Sequence, residues 1–97
     1  MKEELIALIL QTVQDMNPDA EPANGEWSSA TPLFGPKGVL DSIGLVSTVI
    51  AIEQAIEDRF DVSVALADEK ALSQRNSPFR TVSTLADYAQ QEIQSNL

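Results

Sequence analysis

The stretch Gly38–Gly44, GVLDSIG, places the hydroxyl of Ser42 directly after the carboxylate of Asp41, where a long apolar-periodic segment begins. Both residue types are common at helix starts, where a side-chain oxygen accepts a hydrogen bond from an unpaired backbone N–H. Ser42 is then an ordinary first-turn residue and Asp41 the N-cap. The same geometry also suits chemistry, because a helix N-terminus favours a phosphate attached to the Ser42 hydroxyl. The spacing alone permits both interpretations.

The side chains that the sequence lacks narrow the possible chemistry. There is no cysteine and no histidine in the 97 residues. Disulfides, thiolate metal sites and a cysteine nucleophile are therefore excluded, and so is a Ser-His-Asp triad. Asp19, Glu21 and Glu26 do not have the spacing of a calcium-binding loop. We expect a protein that is not an enzyme and that holds no metal ion.

The charge balance indicates the kind of partner. Six basic against fifteen acidic residues give a net charge of −9. This argues against nucleic acid and anionic membranes as partners, because proteins bind both through Lys and Arg. The negative charge favours a basic protein as the partner. The N-terminal text MKEELIALIL has no cleavage site of a signal peptide, and no apolar run has the length of a membrane span. We expect a cytoplasmic protein, most simply a monomer.

The elements that must position Ser42 are predicted to be helices within one domain, residues 1–97. A first amphipathic helix ends before Asn17-Pro18, because proline disfavours helical geometry in the residue before it. A long loop rich in proline and glycine follows and continues to Leu40. The apolar residues expected to form the inner face of the first helix are Leu5, Ile6, Ile9, Leu10 and Val13; those expected to fix the loop to the core are Trp27, Leu33 and Phe34.

The second helix is predicted to begin after Asp41. The text FDVSVAL alternates, and with no partner strand in so short a chain we expect an extended loop with inward apolar residues. Asp68 is expected to cap a short helix over residues 69–74, and Thr81 the last helix. The expected inner stripe of the second helix is Val46, Val49, Ile50, Ile56 and Phe60, widened by Leu45 and Ile52; that of the last helix is Val82, Leu85, Ala86, Ala89 and Ile93. The prediction is an all-α, four-helix bundle with three main helices, one short helix and a long first loop.

The run Leu40–Phe60, LDSIGLVSTVIAIEQAIEDRF, resembles the signature of acyl carrier proteins and related peptidyl carriers. In that family an Asp-Ser-Leu or Asp-Ser-Ile triplet opens the second helix, and its serine carries a 4′-phosphopantetheine arm. Ser42 occupies the matching position, with Asp41 and Ile43 as its motif neighbours. The text IAIE is similar to the family's second helix, and FRTVSTLADY to the start of its last helix. The resemblance implies the acyl-carrier fold and a carrier that presents an acyl or aminoacyl group as a thioester.

Several positions depart from the pattern of the family. Glycine often stands three residues before the serine, where this chain has Val39 and its nearest glycine is Gly38. Carriers of fatty-acid synthesis usually have an acidic residue at the position of Gly44, and often another at that of Ser47. The second helix is also about one turn longer than usual. These differences favour a specialised discrete carrier.

The resemblance also implies partners and a docking surface. The partners are a phosphopantetheinyl transferase, a loading enzyme for the acyl or aminoacyl group, and a downstream transferase. The second helix is the family's usual docking surface for basic patches, which makes Glu53, Glu57 and Asp58 candidate partner-binding residues. Exposed carboxylates on a helix are also ordinary solvated surface.

Two questions stay open at the level of sequence. Val46, Ile50, Val62, Val64 and Tyr88 are expected to lie in the core, although the resemblance allows part of that core to open and shelter an acyl chain. The competing function is an unmodified acidic helical adaptor, which needs only the net charge and the amphipathic helices. A nearer alternative keeps the arm and changes the cargo to an amino acid in a specialised biosynthetic pathway.

Overall fold

The computed structural model describes residues 1–22, 25–35, 38–67 and 78–96. These ranges contain three helices, α1 (Lys2–Met16), α2 (Ser42–Phe60) and α3 (Val82–Ser95), and no strand beyond an isolated bridge between Pro32 and Thr81. Helix α1 packs against both α2 and α3. The all-α prediction is confirmed. The predicted short helix at 69–74 and its cap at Asp68 lie outside the described residues.

Helix α1 ends where the sequence predicts. Its last residue is Met16, and the backbone N–H of Asn17 donates to the carbonyl of Val13 at 3.0 Å. Pro18 follows and cannot continue the helical hydrogen-bond pattern. The residues of α1 that are fully buried are Leu5, Ile9 and Val13, while Ile6 and Leu10 are partly buried against the same core.

Helix α3 begins with the predicted cap. The Thr81 hydroxyl accepts from the backbone N–H of Thr84 at 3.1 Å, and the Thr84 hydroxyl accepts from the N–H of Thr81 at 3.0 Å. This reciprocal capping box satisfies two N–H groups that the helix cannot satisfy itself. The whole predicted inner face of α3 is buried: Val82, Leu85, Ala86, Ala89 and Ile93. Tyr88 is partly buried and meets the ring of Phe79 edge to face.

The buried face of α2 differs from the prediction. Val46 and Ile50, which we expected in the core, keep 37% and 44% of their surface exposed. The sequence of α2 is apolar around much of its circumference, so a period of 3.6 fits more than one stripe, and only packing selects among them. The stripe that is buried comprises Leu45, Thr48, Val49, Ile52 and Ile56.

The long loop between α1 and α2 is held by backbone hydrogen bonds around Leu33. The Leu33 N–H donates to the carbonyl of Arg80 at 2.8 Å, and its carbonyl accepts from Leu40 at 2.9 Å. The Val82 N–H donates to the carbonyl of Thr31 at 3.2 Å. The loop therefore joins the start of α2 to the start of α3. Leu33 is fully buried, and Trp27 and Phe34 pack against the core as predicted.

After α2, residues 62–67 form neither helix nor strand, which agrees with the predicted loop, while Phe60, the first residue of the alternating text, still belongs to α2. Asp61 adopts the left-handed conformation at φ 56°, and its backbone N–H donates to the backbone carbonyl of Glu57 at 2.9 Å. Aspartate tolerates this conformation better than most residues. Val62 and Val64 are then partly buried against the core, and Leu66 is fully buried. Among the described helices none is long and apolar enough to cross a bilayer.

Candidate functional site

Ser42 is the first residue of α2, and it is exposed. Asp41, in an extended conformation, is the N-cap that the sequence predicts, and its Oδ1 accepts from the backbone N–H of Gly44 at 2.6 Å. The cap therefore uses the Asp41 carboxylate within the first turn. No hydrogen bond links the Ser42 hydroxyl to another described residue, so the hydroxyl faces solvent at the positive end of the helix dipole.

Gly44 makes room for this cap. A Cβ atom on Gly44 would lie 2.9 Å from Asp41 Oδ1, which is closer than such atoms approach without a shift of the carboxylate. An acidic side chain at this position, as fatty-acid carriers usually have, would add its own charge beside that oxygen. The absence of an acidic residue here is therefore consistent with a short cap bond from Asp41.

The backbone before Ser42 is fixed by the loop. The N–H groups of Val39 and Leu40 donate to the carbonyls of Pro32 at 3.1 Å and Leu33 at 2.9 Å. A Cβ atom on Gly38 would lie 2.6 Å from the Cα of Phe34, which is backbone and cannot turn away. Position 38 therefore requires glycine, because two stretches of backbone approach closely there.

A pair of polar side chains, Asn17 after α1 and Thr48 in α2, connects the two helices near the start of α2; it is called the Asn17–Thr48 clasp here. The Asn17 side-chain amide donates to the carbonyl of Val13 at 2.9 Å and to the Thr48 hydroxyl at 3.0 Å. Thr48 is only 1% exposed, so this bond satisfies a hydroxyl that would otherwise be costly to bury. Sequence reasoning missed the pair. The available signal was a threonine inside the apolar stripe of α2 and an asparagine at the end of α1.

An exposed strip of apolar side chains begins beside Ser42. Ile43, Val46 and Ile50 are 81%, 37% and 44% exposed. Their spacing of three and then four residues places them on one face of α2. Single exposed apolar residues are ordinary, whereas three on one face make that face a candidate contact surface. Sequence reasoning assigned Val46 and Ile50 to the core and so did not predict the strip.

The three candidate docking carboxylates have different surroundings. Glu53 is half-buried, and its Oε2 accepts from the backbone N–H groups of Leu66 and Ala67. Glu57 is exposed and lies seven residues after Ile50, hence on the same face as the strip. Asp58 is exposed but faces an open groove between α1 and α2. Partner binding by these residues stays a prediction, and Glu57 is the one best placed for it.

An open groove between α1 and α2 lies away from Ser42. Arg59 Nε is 3.6 Å from Glu4 Oε2 at this groove, an ion pair in which both side chains are more than half exposed. The groove has a volume of about 600 Å³ and is lined by Glu4, Ala7, Leu8, Gln11, Thr12, Ala55, Asp58 and Arg59. Within the described part of the chain, no cluster of acidic residues has the geometry of a metal site.

No family model, no curated protein and no solved structure matches this chain. The case for a function therefore rests on the geometry around Ser42.

Proposed function

We propose that the chain is a carrier protein that holds an acyl or aminoacyl group on a 4′-phosphopantetheine arm attached to Ser42 Oγ. The observation that carries the proposal is an exposed serine hydroxyl at the first residue of a capped helix, next to an exposed apolar strip. The acyl-carrier resemblance of Leu40–Phe60 names the modification. The chain itself has no cysteine or histidine, which fits a protein whose reactive thiol comes from a cofactor.

The start of α2 suits a phosphodiester on Ser42. The Asp41 carboxylate accepts a hydrogen bond from the N–H of Gly44, whereas the N–H groups of Ser42 and Ile43 have no partner among the described residues. These two donors and the helix dipole favour an anionic oxygen beside the serine. The Asp41 side chain is tied to the first turn, so it does not block the approach to Oγ.

Attachment forms one bond and breaks one. Ser42 Oγ bonds to the phosphorus of coenzyme A that carries pantetheine, the phosphoanhydride bond breaks, and adenosine 3′,5′-bisphosphate leaves. The serine proton passes to a base of the transferase, since Asp41 Oδ1 already accepts the Gly44 N–H in the helix cap. The arm, once attached, supplies the thiol that carries the acyl or aminoacyl group as a thioester.

The role of the chain itself in the proposed function is to position Ser42 and the arm attached to it. The Asp41 cap, the loop bonds at Val39 and Leu40, and the Asn17–Thr48 clasp together hold Ser42 at a defined place on the surface. A tethered group then reaches each docked active site at a high effective concentration, in place of free diffusion.

The surface beside Ser42 indicates the partners. The exposed strip, Ile43, Val46 and Ile50, supplies apolar contact, and Glu57 places a negative charge on the same face. A partner with an apolar patch bordered by Lys or Arg complements this surface. The partners we propose are a phosphopantetheinyl transferase, a loading enzyme and a downstream transferase. Gly44 and Ser47 lack the charges of fatty-acid carriers, which supports a specialised discrete carrier.

The decisive experiment is the intact mass of the protein after incubation with coenzyme A, magnesium and a broad-specificity transferase. We expect one added phosphopantetheine on the parent and none on Ser42→Ala. Ser47→Ala is the matched control, since Ser47 is a second exposed serine of α2, and it should be modified like the parent. Modification of Ser42→Ala, or none of the parent with several transferases, would reject the proposal.

The strip and the net charge of −9 also suit an unmodified acidic adaptor. The same mass measurement separates the two functions, because the adaptor gains no mass in any variant. The species released from the thioester of the native protein then distinguishes an acyl from an aminoacyl cargo.

A further inference from the structure

The segment that follows α2 is held by other kinds of interaction than the loop before α2. Residues 62–67, called the strap here, follow the left-handed residue Asp61 and form neither helix nor strand. Leu66 is fully buried in the core that also contains Val49 and Ile52 of α2. The strap therefore covers part of the interior without belonging to a helix.

Among the described residues, the hydrogen bonds of the strap come from one side chain. Glu53 Oε2 accepts from the N–H of Leu66 and, at 3.2 Å, from that of Ala67. Among the bonds between described residues, no backbone–backbone hydrogen bond involves residues 62–67. By contrast, the loop before α2 has backbone bonds at Leu33, Val39 and Leu40.

Bonds to an ionised carboxylate are stronger than neutral ones, so a single glutamate is able to hold two amides in place. Within the described part of the chain, the polar attachment of the strap therefore depends on that one group, beside the apolar packing of Leu66. The helices do not depend on it, because α1 packs directly on α2 and α3, and the loop around Leu33 joins α2 to α3. Segments with few bonds of this kind open locally while the remainder stays folded.

We infer that Glu53 is a latch, and that residues 62–67 open as one unit when its carboxylate leaves the two amides. The opening exposes Leu66 and the side of the core that it covers, and leaves α1, α2 and α3 folded. Glu53 stands three residues after Ile50 and four before Glu57, so the latch borders the exposed strip. The inference concerns the chain itself and does not depend on modification of Ser42.

Amide hydrogen exchange of the unmodified full chain, followed by NMR, tests the latch. We expect Glu53→Ala to speed exchange at Leu66 and Ala67 by about tenfold or more, with the amides of Ile9 and Val13 in α1 unchanged. Glu53→Gln keeps an acceptor oxygen without the charge and should give a smaller increase at the same two amides.

Glu57→Ala is the matched control, because Glu57 is an exposed glutamate one turn further along α2. It should leave exchange at Leu66 and Ala67 as in the parent. Nile red, a neutral dye that reports exposed apolar surface, should bind more strongly to Glu53→Ala at unchanged helical circular dichroism.

Three results would overturn the latch. The first is unchanged exchange at Leu66 and Ala67 in Glu53→Ala. The second is an equal acceleration in α1, which would mean that the whole molecule opens together. The third is the same effect from Glu57→Ala. If Glu53→Ala does not fold, Glu53→Gln decides by the same criteria, and a Glu53→Gln protein that also fails to fold shows that the strap cannot open separately.

Discussion

The two ends of α2 are held by different kinds of interaction. At its start, Asp41 caps the helix, Leu40 bonds to the loop, and the loop in turn bonds to the residue before Thr81. At its end, the strap is held by buried apolar side chains and by the carboxylate of Glu53. Several backbone bonds resist local opening more than apolar packing with one bonded carboxylate does. We therefore expect the start of α2 to stay fixed when the segment at its end opens.

The largest expected effect comes from shortening one buried leucine at each end. Leu45→Ala, at the start of α2, should lower the free energy of unfolding by about 2–5 kcal/mol, because the surroundings there cannot collapse onto the cavity. Leu66→Ala, in the strap, should cost only about 1–2 kcal/mol, because the strap can shift or open locally. Both leucines are at most 2% exposed in the parent, so their burial is matched.

Urea denaturation followed by circular dichroism measures both losses of stability. Equal losses for Leu45→Ala and Leu66→Ala would show that the strap is as firmly integrated as the start of α2. A loss that is larger for Leu66→Ala would reverse the comparison.

The next effect concerns the cap. Asp41→Ala removes the acceptor of the Gly44 N–H and should destabilise the protein by roughly 0.5–2 kcal/mol. It should also slow the modification of Ser42, because the first turn that presents the hydroxyl loses its fixed position. The denaturation midpoint and the rate of phosphopantetheine transfer are the two measurements.

Asp61→Gly provides a control for the cap at the opposite end of α2. Asp61 has a positive φ, which glycine adopts without strain, so this change should leave stability nearly unchanged or raise it slightly. It should not alter the transfer rate. If Asp41→Ala leaves both the midpoint and the rate unchanged, Asp41 has neither a capping nor a presenting role.

The smallest effect concerns the two faces of α2. Glu57→Lys reverses a charge on the face of the exposed strip, and should slow association with a phosphopantetheinyl transferase several-fold at low salt. Asp58→Lys changes the neighbouring carboxylate on the groove side and should have less effect. Added salt should shrink the difference, since screening shortens the reach of charges to about 8 Å at physiological ionic strength.

Stopped-flow association across a salt series measures these rates. Equal slowing by Glu57→Lys and Asp58→Lys would mean that net charge steers the encounter without a defined docking face. Glu53 is unsuitable for this test, because its reversal also removes the bonds to Leu66 and Ala67.

The sequence by itself determined three of the helix boundaries. Asn17-Pro18 ends α1, Asp41 begins α2 and Thr81 begins α3, and each of these signals acts through atoms only a few residues apart. The inner face of α3 was also predictable, because its apolar residues form one stripe and its other positions are mostly polar. Local chemistry was also enough to predict Asp41 as the cap beside Ser42, whereas the choice of Ser42 as a modified residue came from the acyl-carrier resemblance and stays a prediction.

The tertiary structure alone decided which face of α2 is buried. Val46 and Ile50 are as apolar as Val49 and Ile52, so no pattern within the helix separates the exposed pair from the buried pair. The choice depends on where α1, the loop and the strap lie, and these are distant in sequence. The bonds from Glu53 to the strap and from Asn17 to Thr48 likewise span 13, 14 and 31 residues. Such contacts form only when the whole chain has folded, because each side chain finds its partner through the packing of other elements.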